Sequence, residues 1–214
     1  MSKMKKNIVL VLTIFIIIFC NVTPAHATTS NARPKFIFAV YGQSNAGLIF
    51  SQLKAALIKK YGPKTQVILV AQGNTAMAEL QKGEPLYDIL LKKIIYAKAH
   101  GYVFGKLFVY QGEADSRVGL PELWEGKFVQ MVSDLRKDSK SFPEIVLYTI
   151  GQCPRTACLE WYQVVHYQQK TAIDNPGYVM IYTADIPNYP TAGVPHHSPD
   201  GYAVLVRRTL SIMP

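Results

Sequence analysis

The sequence predicts an α/β protein, a three-layer sandwich in which helices cover both faces of a mostly parallel, about five-stranded sheet. Two observations support this fold class. Short runs of apolar, β-branched and aromatic residues alternate with longer segments of helical character, as in parallel α/β domains. The runs are also almost continuously apolar rather than alternating, which is typical of strands that are buried on both faces.

Five runs are predicted strands. They are Lys35–Tyr41, Gln66–Ala71, Lys106–Tyr110, Glu144–Ile150 and Tyr178–Thr183. In folds of this class the functional crevice lies beyond the carboxyl ends of the strands. We therefore expect the functional residues directly after these runs.

Five further segments are predicted helices. They are Gly47–Tyr61, Ala76–His100, Glu122–Lys137, Glu160–Asp174 and Pro199–Ile212. The third shows the clearest periodicity, because four apolar residues recur at the spacing of one helix face: Phe128, Met131, Val132 and Leu135. We expect this face to pack against the sheet.

The first 27 residues have the three-part pattern of a secretory signal peptide. Three lysines precede an apolar run from Ile8 to Cys20, and the triplet Ala25-His26-Ala27 supplies a cleavage site. The run is shorter than the roughly 20 residues that a spanning helix needs, so we expect no stable membrane anchor after cleavage. No linker interrupts the remainder. We therefore predict a signal peptide at 1–27, one domain at 28–214, and a periplasmic or secreted protein.

The formal net charge of +9 would by itself suggest a nucleic-acid partner. Three basic residues and no acidic ones lie within the first 27 residues, which leaves +6 for the remainder of the chain. The other basic residues are scattered and form no run of like charge. We therefore predict that the protein has no nucleic-acid partner.

Two cysteines, Cys153 and Cys158, lie beyond the predicted signal peptide. In an exported protein such an even pair predicts a disulfide that closes a small loop, with two unpaired thiols as the alternative. Two cysteines without neighbouring ligands supply only half of a zinc site, and no glycine-rich phosphate-binding motif occurs. We therefore predict neither a metal nor an organic cofactor.

Residues suited to acyl transfer follow the predicted strands. Ser44 follows the first strand, Glu113 the third and Asp185 the fifth, while His196 and His197 precede the last helix. Acyl transfer needs a nucleophile, a base, a group that orients the base and donors for the oxyanion. A serine at a strand-to-helix junction can equally be a helix N-cap, and loop histidines can be ordinary surface residues. Spacing alone leaves both interpretations open.

Three segments resemble the SGNH hydrolases, and among them the sialate O-acetylesterase and acetylxylan esterase group, carbohydrate esterase family six. They are Gly42-Gln43-Ser44-Asn45, Gln111-Gly112-Glu113 and the His-His-Ser-Pro-x-Gly-Tyr sequence at 196–202. The first two segments together are a specific signature of this group, whereas either segment alone would be weak evidence for it. The resemblance runs from about Phe36 to the C-terminus and implies the flavodoxin-like SGNH hydrolase fold.

The resemblance also implies the roles of individual residues. Ser44 would be the nucleophile and His196 the base, with His197 beside it as a secondary candidate. The oxyanion donors would be the backbone N–H groups of Ser44 and Gly73 and the side-chain amide of Gln111.

The group that orients the base is less clear, because many relatives place an aspartate where this chain has Gly193. In the carbohydrate esterase branch, the glutamate of the Gln-Gly-Glu motif can take that role. Glu113 is therefore the first candidate and Asp185 the second, and Asn45 of the first motif is a further secondary candidate.

The function that the resemblance implies is an exported serine esterase that removes O-acetyl groups from a carbohydrate through an acyl-enzyme intermediate. Its partner would be an acetylated carbohydrate. Two alternatives stay open on the same fold. One is a general carboxylester or lipid hydrolase, and the other is a catalytically inactive SGNH domain that binds glycans.

Overall fold

A parallel sheet of five strands forms the centre of the protein. The computed structural model describes residues 34–117, 119–152, 159–186 and 195–214, so the predicted signal peptide, Gly193 and the predicted disulfide lie outside the described residues. The strands are β1 (Lys35–Gly42), β2 (Gln66–Ala71), β3 (Tyr102–Tyr110), β4 (Glu144–Tyr148) and β5 (Tyr178–Ile181). Their order is β2-β1-β3-β4-β5, and every neighbouring pair is parallel.

Helices cover both faces of this sheet. They are α1 (Ser44–Tyr61), α2 (Pro85–Ala99), α3 (Pro121–Ser139), α4 (Trp161–Asp174) and α5 (Pro199–Ser211). One apolar cluster joins a sheet face to α2, α3 and α4, and a second joins the other face to α1 and α5. The predicted three-layer α/β fold is confirmed. Among the described residues, no helix combines the length and apolar character that crossing a bilayer requires.

The predicted helix over Ala76–His100 is wrong as one element. The structure has a short 3₁₀ helix at Met77–Leu80, and α2 begins only at Pro85. Gly83 adopts a φ of +90°, which lies outside helical geometry. Proline disfavours helical backbone at the residue before it, and it suits the first position of a new helix. The chain therefore turns between the two segments.

Gly42 determines how β1 passes into α1. Its φ is +142°, and a Cβ built at this position would lie 2.1 Å from the carbonyl oxygen of Tyr110 in β3. Around this contact the Gln43 N–H donates to the Tyr110 oxygen at 3.1 Å, and the Gln72 N–H donates to the Gly42 oxygen at 3.2 Å. Only glycine allows this close approach, which places Ser44 at the edge of the sheet.

We expect Gly42→Ala to lower the free energy of unfolding by about 3 kcal/mol or more, because it combines backbone strain with a clash against a β3 carbonyl. Denaturant titration measures this change. Gly126→Ala in α3 is the matched control, because nothing lies within 4 Å of a Cβ there. The control should raise stability by about 0.5–1 kcal/mol. Equal effects of the two variants would contradict the close approach at Gly42.

Candidate active site

Ser44 and His196 form a hydrogen-bonded pair at the carboxyl edge of the sheet. The Nε2 atom of His196 lies 2.9 Å from the Oγ atom of Ser44. This distance suits transfer of the hydroxyl proton to the imidazole. Burial lowers the pKa of His196 below its ordinary value of 6.5, so the imidazole is neutral at pH 7 and able to accept that proton.

The start of α5 fixes the position of His196. Ser198 is the N-cap, and its side chain accepts the N–H of Gly201 at 3.1 Å. Pro199 follows at the first helical position, where its missing N–H costs nothing. The Ser-Pro-x-Gly part of the motif therefore has a structural role, because it begins the helix directly after the histidines.

A cavity of about 380 Å³ opens beside the Ser44–His196 pair, within the size range of small-molecule sites. Its lining comes from the junction between β1 and α1, from the loops after β2 and β3, and from the segment before α5. The lining residues are Gln43, Ser44, Gly73, Asn74, Glu113, Ala114, Arg117, Pro195 and His196.

Two backbone N–H groups at this cavity could bind an oxyanion. Ser44 is the first residue of α1, where N–H groups have no intrahelical acceptor and the helix dipole favours negative charge. Within the described residues, neither the N–H of Ser44 nor that of Gly73 donates a hydrogen bond. The structure thus brings together the predicted nucleophile, the predicted base and two of the three predicted oxyanion donors.

Glu113 lies at the base of the cavity and is held by two side-chain amides. Its carboxylate oxygens accept hydrogen bonds from the Nε2 atom of Gln43 and the Nδ2 atom of Asn45. The same Nδ2 atom donates to the carbonyl oxygen of Pro195 at 2.9 Å. In the described part of the chain no hydrogen bond joins Glu113 to His196, so the carboxylate is linked to the histidine segment through Asn45.

Asn45 is therefore a central residue of the site. Besides its two donor contacts, its Oδ1 atom accepts a hydrogen bond from the Tyr202 hydroxyl in α5. Gln43 completes the arrangement, because its Oε1 atom accepts the N–H of Ala114 at 3.3 Å. The sequence analysis did not single out Gln43, although it belongs to the Gly-Gln-Ser-Asn motif.

Glu113 titrates far from the usual carboxyl range. Burial raises its pKa from 4.5 to about 7, and the opposing effect of the Asn45 hydrogen bond is smaller. The negative charge of Asp115 contributes further in the same direction. The folded protein therefore holds the Glu113 proton more tightly than the unfolded chain does.

Gln111 does not reach the cavity. It is fully buried, and its Nε2 atom donates to the Thr75 carbonyl oxygen at 3.0 Å and to the Asp115 carboxylate. Its Oε1 atom accepts the indole N–H of Trp124 at 2.7 Å. The structure therefore places this predicted oxyanion donor beneath the loop that carries Gly73. In its stead Asn74 and Arg117, for which the sequence predicted no role, line the cavity.

The two other candidates lie outside the cavity lining. His197 is buried, with its Nε2 atom 2.6 Å from the Tyr110 hydroxyl. Asp185 forms an ion pair with Arg208 at the surface, and this partner holds the pKa of Asp185 below its usual value. Neither side chain has a hydrogen bond to His196 among the described residues. The same residues contain no group of three His, Cys, Asp or Glu side chains that could hold a metal ion.

Comparison with known proteins connects this geometry to a family. A family model described as carbohydrate esterase, sialic acid-specific acetylesterase, matches residues 23–208. A search of curated proteins gave no match.

Three solved structures share the fold. A protein from Arabidopsis thaliana has a TM-score of 0.62 and 16% identity, over 76% of this chain and 67% of that one. A carbohydrate acetylesterase from Xanthomonas citri has a TM-score of 0.61 and 13% identity, over 75% of this chain and 39% of that one. A Slackia heliotrinireducens protein assigned to the SGNH hydrolases has a TM-score of 0.57 and 14% identity, over 84% of this chain and 100% of that one.

The raised pKa of Glu113 predicts a specific dependence of stability on pH. Because the folded pKa of about 7 lies above the unfolded value of 4.5, the free energy of unfolding should fall as pH rises through this interval. Ionisation of Glu113 should lower the free energy of unfolding by about 3 kcal/mol in total, and this decrease should be complete above pH 7. Denaturant titrations at a series of pH values measure the slope.

Glu113→Gln should remove that contribution. Asp115, whose pKa burial raises to about 6, is present in both proteins, so a residual slope from its own titration should remain in Glu113→Gln. Glu122→Gln, at an exposed position in the first turn of α3, is the matched control and should keep the wild-type slope. The same slope in wild type and Glu113→Gln would show that Glu113 titrates normally.

Proposed function

Because the chain belongs to the carbohydrate esterase, sialic acid-specific acetylesterase family and is a carboxylic ester hydrolase, we propose that it removes O-acetyl groups from a carbohydrate by serine catalysis. The main support is the 2.9 Å contact between the Oγ atom of Ser44 and the Nε2 atom of His196. Both residues line an open cavity with unpaired backbone donors beside them. These are the parts that acyl transfer requires.

In the first half of the proposed reaction, the Oγ atom of Ser44 attacks the acetyl carbonyl carbon while His196 takes the hydroxyl proton. The carbonyl oxygen becomes an oxyanion, and the N–H groups of Ser44 and Gly73 stabilise it. The tetrahedral intermediate then collapses. The bond to the sugar oxygen breaks, and His196 returns its proton to that oxygen as the alcohol leaves.

In the second half, water attacks the acetyl group on Ser44. His196 takes a proton from the water, and the same N–H groups stabilise the second oxyanion. The ester bond to Oγ breaks, Oγ regains its proton from His196, and acetate is released. The sequence of steps needs no metal or organic cofactor.

We propose that Glu113 acts on His196 indirectly. Its carboxylate holds Asn45, and Asn45 holds the Pro195 carbonyl group next to His196. This route explains how the histidine segment is positioned without a direct carboxylate contact. Asp185 is the competing candidate, and its ion pair with Arg208 at the surface argues against it.

We also propose that the protein is exported, on the basis of the signal-peptide pattern in residues 1–27. Its substrate would then be an acetylated glycan of the periplasm or the surroundings of the cell. A general carboxylester hydrolase is the second candidate function.

Ser44→Ala should lower acetate release by about four orders of magnitude or more, because it removes the nucleophile. The measurement is acetate released from acetylated xylan, O-acetylated sialic acid and O-acetylated peptidoglycan. Ser51→Ala, an exposed serine of the same helix, is the matched control and should keep wild-type turnover. Retained turnover in Ser44→Ala would overturn the proposed mechanism.

Two further results distinguish the candidate functions. Faster turnover of long-chain than of short-chain p-nitrophenyl esters would favour the general lipid hydrolase. A fluorophosphonate should label Ser44, and absence of an adduct would favour an inactive glycan-binding domain.

The orienting role is tested by comparing two isosteric variants. Glu113→Gln replaces an acceptor oxygen by a donor that faces the amides of Gln43 and Asn45, and should lower kcat by up to about 10²-fold. Asp185→Asn should leave kcat within about twofold of wild type, because surface ion pairs contribute little. Steady-state kinetics on the best substrate measures both. The opposite result, with Asp185→Asn the more damaging variant, would assign the orienting role to Asp185.

A further inference from the structure

The side-chain amide of Gln111 has no hydrogen left for a substrate. A primary amide carries two N–H donors. In Gln111 one serves the Thr75 carbonyl oxygen and the other the Asp115 carboxylate, while the residue is 0% exposed. A donor to the oxyanion from this side chain would require breaking a buried hydrogen bond and moving the loop above it. A third donor of the kind that the resemblance implied would therefore have to come from another side chain of the cavity lining.

Asn74 is the residue whose side chain is placed to supply it. It directly follows Gly73, is exposed, and lines the same cavity as Ser44 and His196. Its φ is +60°, in the left-handed region that few residues other than glycine adopt. Asparagine is one of the few residues besides glycine that adopt this conformation routinely, so the loop backbone accommodates it without unusual strain.

Arg117 determines which end of the Asn74 amide remains free. A guanidinium group donates hydrogen bonds and accepts none, so the atom of Asn74 that it contacts must be the amide oxygen. The structure has this contact, from the Nη2 atom of Arg117 to the Oδ1 atom of Asn74. The NH₂ group of Asn74 is left over, and no residue in the described ranges accepts a hydrogen bond from it.

We infer that the side-chain NH₂ group of Asn74 is the third oxyanion donor of this esterase, beside the backbone N–H groups of Ser44 and Gly73. Arg117 is the positioning residue, because it holds the amide oxygen and so presents the amide nitrogen. The inference rests on the proposed function. It assigns to Asn74 the role that the family resemblance implied for Gln111.

Asn74→Gly tests the side chain with the least disturbance, because glycine keeps the left-handed backbone. Loss of one oxyanion donor typically lowers kcat by about 10²–10³-fold, so we expect a fall in that range with KM nearly unchanged. Lys140→Gly is the matched control. Lys140 is the other non-glycine residue with positive φ in the described residues, it lies outside the cavity lining, and its variant should keep wild-type kcat.

Asn74→Asp provides a second variant of nearly the same shape. It keeps an oxygen for Arg117 but replaces the NH₂ group by a second oxygen, which repels the oxyanion. We expect kcat to fall at least as far as in Asn74→Gly, with an unchanged thermal unfolding midpoint. This variant keeps the test decisive if Asn74→Gly folds poorly.

Arg117→Ala tests the positioning role by a double-mutant cycle. If Arg117 acts on the reaction only by orienting Asn74, then Arg117→Ala should lower kcat in the presence of Asn74 and have no further effect in Asn74→Gly. Additive effects of the two variants on kcat would overturn the positioning role of Arg117.

Two outcomes would overturn the assignment of Asn74. One is a kcat in Asn74→Gly and Asn74→Asp within about threefold of wild type. The other is a raised KM with unchanged kcat, which would mean that the side chain binds the ground state of the substrate. Ser44→Ala separates these outcomes from failure of the proposed function. If Ser44→Ala abolishes turnover while both Asn74 variants retain it, the esterase mechanism stands and the assignment of Asn74 falls.

Discussion

The active site depends on the close approach of two backbones, that of Gly42 at the end of β1 and that of Tyr110 at the end of β3. Without a Cβ at residue 42, the two strands end side by side and the chain can turn at once into α1. That turn places Ser44 at the helix N-terminus. It also brings Gln43 and Asn45 against Glu113, which follows the neighbouring strand.

A buried carboxylate among amides is the second constraint on the site. Glu113 is only 6% exposed, yet no basic side chain bonds to it in the part of the chain that the structure describes. Two amide donors satisfy its oxygens instead. Both amides donate to the ionised carboxylate, whereas protonation, which burial favours by raising the Glu113 pKa to about 7, would turn one oxygen into a donor that faces an amide NH₂ group.

Hydrophobic pattern was sufficient to predict most of the fold. The strand predicted at Gln66–Ala71 is found with the same bounds, although it lies at the edge of the sheet and is only partly buried. The predicted helix over Ala76–His100 was wrong in its middle, where Gly83 and Pro85 outweigh the apolar spacing. The proximity of Ser44 and His196 followed from the rule that strand ends converge at one edge.

The partners of the polar side chains could not be predicted in the same way. Nothing in the Gln-Gly-Glu motif indicates that the Gln111 side chain bonds to Trp124 in the core while the Glu113 side chain bonds to Gln43 at the cavity. These directions depend on the loop after β3, in which Gly112 adopts a φ of +142° and reverses the face on which the next side chain lies. The position of the Asn74 side chain at the cavity likewise depends on the conformation of the loop after β2, which residue type alone does not specify.

The docking of α5 has a consequence for the order in which the protein gains activity. Ser44 and His196 are separated by 152 positions along the chain, and they meet because α5 packs on α1. The Lys60 ammonium group and the Met213 carbonyl oxygen, 2.7 Å apart, join the far ends of the same two helices.

Closing a loop of this length is an entropically costly, non-local step of folding. A chain that emerges from its N-terminus therefore has its nucleophile in place long before its base. His196 reaches Ser44 only when the C-terminal helix has docked, so we expect an incompletely synthesised chain to be inactive.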